Sequence, residues 1–181
     1  KGDKKELSVQ PEYKIKLGDL ANKIKILKES RNSLITEKVG TGFTRKLYST
    51  YLSYLSPEQF TYLIPSYGDE RGIFAEMLKT KDSGQFSFFT AGPGVTRGDH
   101  YHHSKTEKFL VIKGEAKFGF RHIASNEMHE IIISSKLLKI VETVPGWSHN
   151  ITNIGTEDII VMLWANEIFD LENPDTIAYK V

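Results

Sequence analysis

The chain of 181 residues contains no cysteine. Disulfides, thiolate metal sites and cysteine nucleophiles are therefore excluded, and any bound metal must be held by nitrogen and oxygen. An excess of either charge is missing too. Twenty-four Lys and Arg against 23 Asp and Glu leave a net charge of +1, so no strong field draws the chain to nucleic acid or to an anionic membrane. No apolar run approaches the ~20 residues that span a bilayer. The start carries no apolar core of a signal peptide. Internal repeats, low-complexity tracts and a flexible Gly/Ser linker are absent, and so is a glycine-rich dinucleotide fingerprint. The first residue is Lys1 rather than an initiator methionine. That leads us to expect a piece of a longer protein, or a processed chain.

What is present divides in two. Residues 1–62 read as a helical segment. In "LGDLANKIKILKESR", Leu20, Ile24 and Leu27 recur at helical spacing between Lys and Glu, with Asp19 as the expected N-cap. In "RKLYSTYLSYL", Leu47, Tyr51 and Tyr54 are expected to share a second helical face. Residues 63–181 change pattern. "GIFAEMLK", "GQFSFFTA", "EKFLVIKGEAKFGFRH", "HEIIISS", "KIVETVP" and "EDIIVMLWAN" are short β-rich runs parted by Gly, Pro, Asp, Asn and Ser. Such runs without intervening helices point to a sandwich, barrel or jelly roll.

The chemistry concentrates in "RGDHYHHSKTEKFLVIKG", residues 97–114. Alternation in a strand sets His100 and His102 on one face, with Tyr101 and His103 starting on the other. A turn at 104–106 can fold Glu107 back toward the two imidazoles. Two imidazoles and a carboxylate suit a divalent ion with N/O ligands. The competing reading is a solvated histidine-rich turn. Gly94 stands ahead of the cluster, Gly114 after it, and "VPGWSHNITN" supplies Gly146, His149 and Asn153 further on. His103 reads as an exposed neighbour or a proton-transfer group. His122 and His129 have no partner spacing and read as surface or core residues.

Gly94, His100, His102, Glu107 and Gly114 resemble the first cupin motif, G-x5-H-x-H-x3,4-E-x6-G, and Pro145–His149 resemble the second. One departure is that Pro145 abuts Gly146. The resemblance implies a mainly β fold, a double-stranded β-helix jelly roll behind an N-terminal helical segment. It implies a metal held by His100, His102, Glu107 and His149.

Asp69, Arg71, Gly72, Phe74 and Glu76 form D-x-R-G-x-F-x-E. The Arg-Gly pair suits close approach of an anion. Phe74 and Glu76, two apart in a strand, suit stacking and hydrogen bonding to a nucleobase. The plain alternative is an ordinary turn entering a strand. The stretch resembles a motif of the nucleotide-sugar 3,5-epimerases, as do "RGDHY" (Arg97–Tyr101) and "GWSH" (Gly146–His149). In that family the arginines contact phosphate, so Arg71 and Arg97 are expected on the diphosphate. The family uses no metal and employs the matching histidine as a base. Here Glu107 stands where it has Lys, and Trp164 where it has a catalytic tyrosine. His100 is accordingly expected as a ligand instead.

Across its whole length the chain resembles the C-terminal part of the bifunctional enzymes of capsular polysaccharide synthesis. "LITEKVGTGFTRKLYSTYLSYL", "HYHHSKTEKFLVIKGEA", "VPGWSHNITNIG" and "MLWANEIFD" carry that likeness. The resemblance implies a zinc cupin domain that epimerises C3 of a UDP-4-keto-6-deoxy-N-acetylhexosamine, and a separate reductase domain that uses NADPH. Residues 1–62 would be the tail of that reductase, whose nucleotide-binding part this sequence lacks. A cytoplasmic homodimer acting on a UDP-sugar is expected. His103, Lys105 and Lys108 are candidate catalytic bases by proximity. Two rival readings share the ligand set: an iron-dependent dioxygenase, and a non-catalytic sugar-nucleotide-binding or dimerisation module.

Overall fold

A computed structural model describes residues 9–181. Residues 1–8, the start of the expected reductase tail, lie outside the described residues. Helix α1 runs Leu17–Ser33 and α2 runs Gly42–Ser53, followed by one 3-10 turn at Pro57–Phe60. Asp19 is not the N-cap of α1. Lys16 holds that position without a side-chain cap, and Asp19 lies in the first turn, where its charge still favours the helix start. The buried line of α1 also differs from expectation. Leu27 and Ser30 are buried and Leu20 half-buried, whereas Ile24 is exposed. In α2, Leu47 turns toward Lys23, Ile26 and Leu27 of α1. Tyr54 caps the helix and is exposed, so it does not share that face.

Eleven strands follow among the described residues: β1 Ser66–Asp69, β2 Gly72–Thr80, β3 Gly84–Ala91, β4 Thr96–Tyr101, β5 Glu107–Lys113, β6 Glu115–His122, β7 Met128–Ser134, β8 Ile140–Glu142, β9 Trp147–Asn153, β10 Ile159–Ala165 and β11 Ile177–Ala178. They form two antiparallel sheets, ordered β1-β2-β3-β10-β5-β8 and β11-β4-β9-β6-β7. From β3 onward the chain alternates between the two sheets except for the β6–β7 hairpin, which makes a jelly roll. The crossing from β5 to β6 takes a single residue, Gly114. Its φ is +84° and an added Cβ would meet Ile159 Cγ2 at 2.8 Å, so only glycine fits.

Alternation decides which side chains enter the space between the sheets. Strand β10 buries Ile159, Val161, Leu163 and Ala165 and leaves the residues between them half-exposed. Phe109, Val111, Phe118 and Ile151 meet them from the other strands, with the Phe109 and Phe118 rings 5.9 Å apart. Each of these large side chains contributes about 1.5–3 kcal/mol by leaving water. Asn153, also buried, ties the far end. Its Nδ2 donates to the carbonyls of Ala91 and Glu157, both at 2.8 Å, and its Oδ1 accepts from Gly155 N at 2.9 Å. The helical segment is anchored on β2 by two backbone bonds, Thr36 N to Lys79 O and Lys79 N to Leu34 O, each 2.8 Å.

Candidate metal centre and active-site cleft

Strands β4, β5 and β9 bring four side chains to one point. His100 is the penultimate residue of β4, His102 follows the strand, Glu107 begins β5, and His149 lies in β9 beside His100. One donor atom from each falls within 4.8 Å of the others. The His102 and His149 Nε2 atoms lie 3.1 and 3.3 Å from Glu107 Oε2. The His100 ring centre is 5.0 Å from that of His102 and 4.6 Å from that of His149.

The local sequence explains this convergence. Strand β4 is bulged: Gly98 pairs with Asn150 and His100 with His149, leaving Asp99 as the extra residue. Asp99 takes φ +60°, and Gly98 takes φ +109° with the His149 carbonyl oxygen 2.8 Å from where a Cβ would stand. Plain alternation would send Arg97 and His100 to opposite faces. The bulge returns both to the same cavity.

The turn between the histidines and Glu107 is held by side-chain oxygens. The Asp175 carboxylate accepts the backbone N–H groups of His103, Ser104 and Lys105, each at 2.8 Å. Asn166 Oδ1 accepts Thr106 N at 3.0 Å and Thr143 Oγ1 accepts Glu107 N at 2.9 Å. Those backbone bonds hold the Asp175 carboxyl well below the usual carboxylate range. The Asp175 carbonyl lies 2.5 Å from His102 Nδ1. A carbonyl only accepts, so Nδ1 carries a proton, and Nε2 points into the cluster toward Glu107.

The electrostatics are those of a site built around a cation. Burial, and then the neighbouring His149 and His102, push His100 down to about 4, so the ring is neutral at pH 7. Burial raises the Glu107 carboxyl. The hydrogen bonds from His102 and His149 and the charge of Lys105 outweigh it and hold the group far below its ordinary value. His149 Nδ1 is buried with no hydrogen-bond partner among the described residues. Two imidazoles meet the one carboxylate and a third, His100, lies beside them, and the donor set of three nitrogens and one oxygen fits a divalent ion.

A cavity of about 340 Å³ opens from this cluster, lined by Lys105, Phe109, Phe169 and Thr176 near the histidines and by Phe74, Phe89, Arg97 and Arg71 beyond. An adjoining outer cavity of about 490 Å³ shares Arg71, Phe74, Arg97 and Phe169 and adds Glu76, Tyr67 and Asp69. Arg97 lies with its guanidinium 5.1 Å over the Phe89 ring, and burial followed by the nearby Arg71 lowers its pKa. Arg71 is held by Asp69 through Nη2 at 2.5 Å. Glu76 reaches Lys79 Nζ at 2.5 Å and accepts from Gln85 Nε2 at 3.2 Å. The arginines, Phe74 and Glu76 are thus brought together along one cleft.

The three candidate bases are not. Lys105 is buried in the cavity wall, with Nζ 3.2 Å from Glu107 Oε1 and 5.6 Å from the Phe169 ring centre. His103 is exposed and packs against Tyr101. Lys108 points to the outer face and pairs with Glu142. Trp164 also faces outward and donates to the Ser83 carbonyl at 2.8 Å, while Leu163 and Ala165 line the cavity. His122 bonds Ser125 and packs on Trp147. Sequence reading missed Asp175, Phe169 and Thr176. They lie in an irregular stretch after β10 with no periodicity to single them out.

Comparison with known proteins gives this geometry a setting. Residues 67–177 match the family described as the polysaccharide biosynthesis C-terminal domain. A Pseudomonas aeruginosa protein named UDP-2-acetamido-2,6-beta-L-arabino-hexul-4-ose reductase is 61% identical over 175 residues, covering 97% of this chain and 47% of that protein. The crystal structure of the capsular polysaccharide assembling protein CapF from Staphylococcus aureus superposes with a TM-score of 0.91 at 40% identity, over 94% of this chain and 47% of that one. The chain thus spans about half the length of these relatives. A Bacillus subtilis oxalate decarboxylase shares the fold alone, with a TM-score of 0.51 at 14% identity over 64% of this chain and 30% of that one. The chain has a cupin fold and belongs to the polysaccharide biosynthesis C-terminal domain family.

Proposed function

We propose that this chain is the metal-dependent C3-epimerase domain for a UDP-4-keto-6-deoxy-N-acetylhexosamine in capsular polysaccharide synthesis. The observation that carries the reading is a single cleft with the four-residue cluster and Lys105 at one end and Arg97 and Arg71 toward the other. The sugar lies at the first end and the diphosphate at the second, where guanidinium forks suit phosphate oxygens. Phe74 and Glu76 border the outer cavity, within which the uracil lies.

A hydrogen beside a ketone is weakly acidic, and its removal needs a base and stabilisation of the enolate oxygen. His100, His102, Glu107 and His149 would hold a divalent ion, and such an ion would supply Lewis-acid chemistry beside the ketone. Of the three candidate bases, Lys105 is the one whose amine reaches the cavity, and it is the proton carrier in this reading. Glu107 Oε1 fixes the Lys105 amine beside the cluster. Phe109, Phe169 and Leu163 keep that end apolar. A proton from solvent returns to the opposite face of C3 and inverts it.

The name of the Pseudomonas relative supports a UDP-sugar substrate, and zinc is the ion proposed. On this reading residues 1–62 are the tail of a reductase domain whose other part binds NADPH, and residues 63–181 are the cupin domain. The reading also takes the protein to be a cytoplasmic homodimer. No helix among the described residues is long and apolar enough to cross a membrane.

The test is solvent exchange. The zinc-loaded chain is incubated with the UDP-4-keto sugar in deuterium oxide and C3 is read by NMR. Deuterium should enter C3, and Glu107→Gln and His149→Ala should abolish it. Binding without exchange in a metal-loaded sample would point to the non-catalytic module. Oxygen uptake by an iron-loaded sample would point to the dioxygenase.

A further inference from the structure

We propose that Asp175 is the positioning residue of the metal centre, setting both the ring of His102 and the turn that carries Lys105. The inference rests on the reading that the four-residue cluster binds a divalent ion, and it goes beyond it in assigning a role to a residue outside the cluster.

The chain after β10 returns as a strap to the open side of the site. Its strand β11 pairs with the end of β4, Ile177 opposite Tyr101 and Ala178 opposite His100. Asp175 stands two residues before that strand. It acts through two different groups. Its carbonyl takes the His102 Nδ1–H at 2.5 Å, which fixes the tautomer and the tilt of the ring. Its carboxylate takes three successive backbone N–H groups, His103 to Lys105, and the Ser104 hydroxyl at 3.0 Å. Three N–H groups on one carboxylate force the turn into a concave nest. That nest sets the direction in which the chain leaves His102, and so where Lys105 and Glu107 arrive. One side chain thus governs the spacing between a ligand and the amine beside it.

A purely structural strap would make a different prediction. It would raise the melting temperature and leave the ligands' affinity for an ion untouched. Arg121 supplies the comparison. It donates to the Lys180 carbonyl and lies 5.1 Å over the Tyr179 ring, so it secures the same strap without touching the histidine turn.

The experiment uses the 181-residue chain stripped by chelator and titrated with cobalt(II), read by visible absorption and by competition with a chromophoric chelator. Asp175→Ala keeps the backbone carbonyl but loses the carboxylate that holds the His103–Lys105 turn and so sets that carbonyl against His102; it should weaken cobalt binding by about tenfold or more and shift the d–d bands. Asp175→Asn keeps one side-chain acceptor oxygen for the turn and should fall between wild type and Asp175→Ala. Arg121→Ala should lower the melting temperature and leave affinity and spectrum as in wild type. If Asp175→Ala does not fold, Asp175→Asn alone decides. Wild-type affinity and bands in a folded Asp175→Asn and Asp175→Ala, or an equal loss in Arg121→Ala, would overturn the assignment to Asp175. A wild-type chain that takes up no cobalt would overturn the metal reading itself, and this inference with it.

Discussion

Acid should destabilise the metal-free chain, beginning well above the usual carboxylate range. The perturbed group is His100, whose ordinary value of 6.5 falls to about 4 in the folded protein because of burial and then the neighbouring His149 and His102. Between those two values the unfolded chain binds a proton that the folded chain refuses. Stability therefore rises with pH across this window and is lost as pH falls from 6.5 toward 4. A full shift of this size corresponds to about 3 kcal/mol, and the ring's partial exposure trims it to about 2–3 kcal/mol. Glu107 extends the loss. Its folded value lies far below the ordinary 4.5, so its contribution is present above 4.5 and disappears as pH drops further. The window from 6.5 down to about 5 belongs mainly to the histidine. Urea denaturation of the chelator-stripped chain at half-unit pH steps measures the slope. His100→Asn should flatten it in that window. An unchanged slope in the variant, or stability that grows on acidification, would refute the reasoning. Protons and an ion compete for the same nitrogens, so metal affinity should fall over the same range.

Other outcomes follow from single contacts. Lys105→Met should lower deuterium exchange at C3 by about 100-fold or more while cobalt still binds; exchange at the wild-type rate would remove Lys105 as the proton carrier. Gly98→Ala sets a Cβ 2.8 Å from the His149 carbonyl oxygen at φ +109°, and should cost about 2–3 kcal/mol in urea denaturation. Arg97→Ala should weaken UDP binding at least roughly tenfold by calorimetry, with Arg71→Ala weaker in effect because Arg71 is exposed and already shared with Asp69. Asn153→Ala leaves the Ala91 and Glu157 carbonyls without their donor and should cost about 2–4 kcal/mol.

The jelly roll was legible because its strands are short, apolar and punctuated by residues that only turns accept. Alternation of burial follows the sequence closely in β10 and in β5, and in β5 it also disposes of Lys108: Glu107 and Phe109 face inward, so the residue between them faces out. The same logic applied to the strand around His100 fails for Arg97. One extra residue, Asp99, resets the alternation, and no composition signal announces a bulge in "RGDHY" beyond its glycine. In the helical segment, Ile24 reads as a face residue but is exposed, while Ser30 and half-buried Lys23 line the inner side. Helix periodicity defines a stripe only to within a residue, and packing chooses the rest. Asp175 was invisible for a different reason. It works on backbone N–H groups about 70 positions away, and backbone donors leave no mark in a sequence.

The bulge in β4 also sets a length. Arg97 and His100 stand three residues apart on one strand and face one cavity. At about 3.3 Å per residue that interval is roughly 10 Å, comparable to a sugar ring with a phosphate attached. On the proposed reading, a strand used this way is a gauge, matching ligands by the distance between a keto group and a charge before any hydroxyl is read. Insertion or deletion of one residue between Arg97 and His100 would turn one of the two groups to the far side of the sheet. The cleft would then keep every side chain named here and lose the interval that joins them.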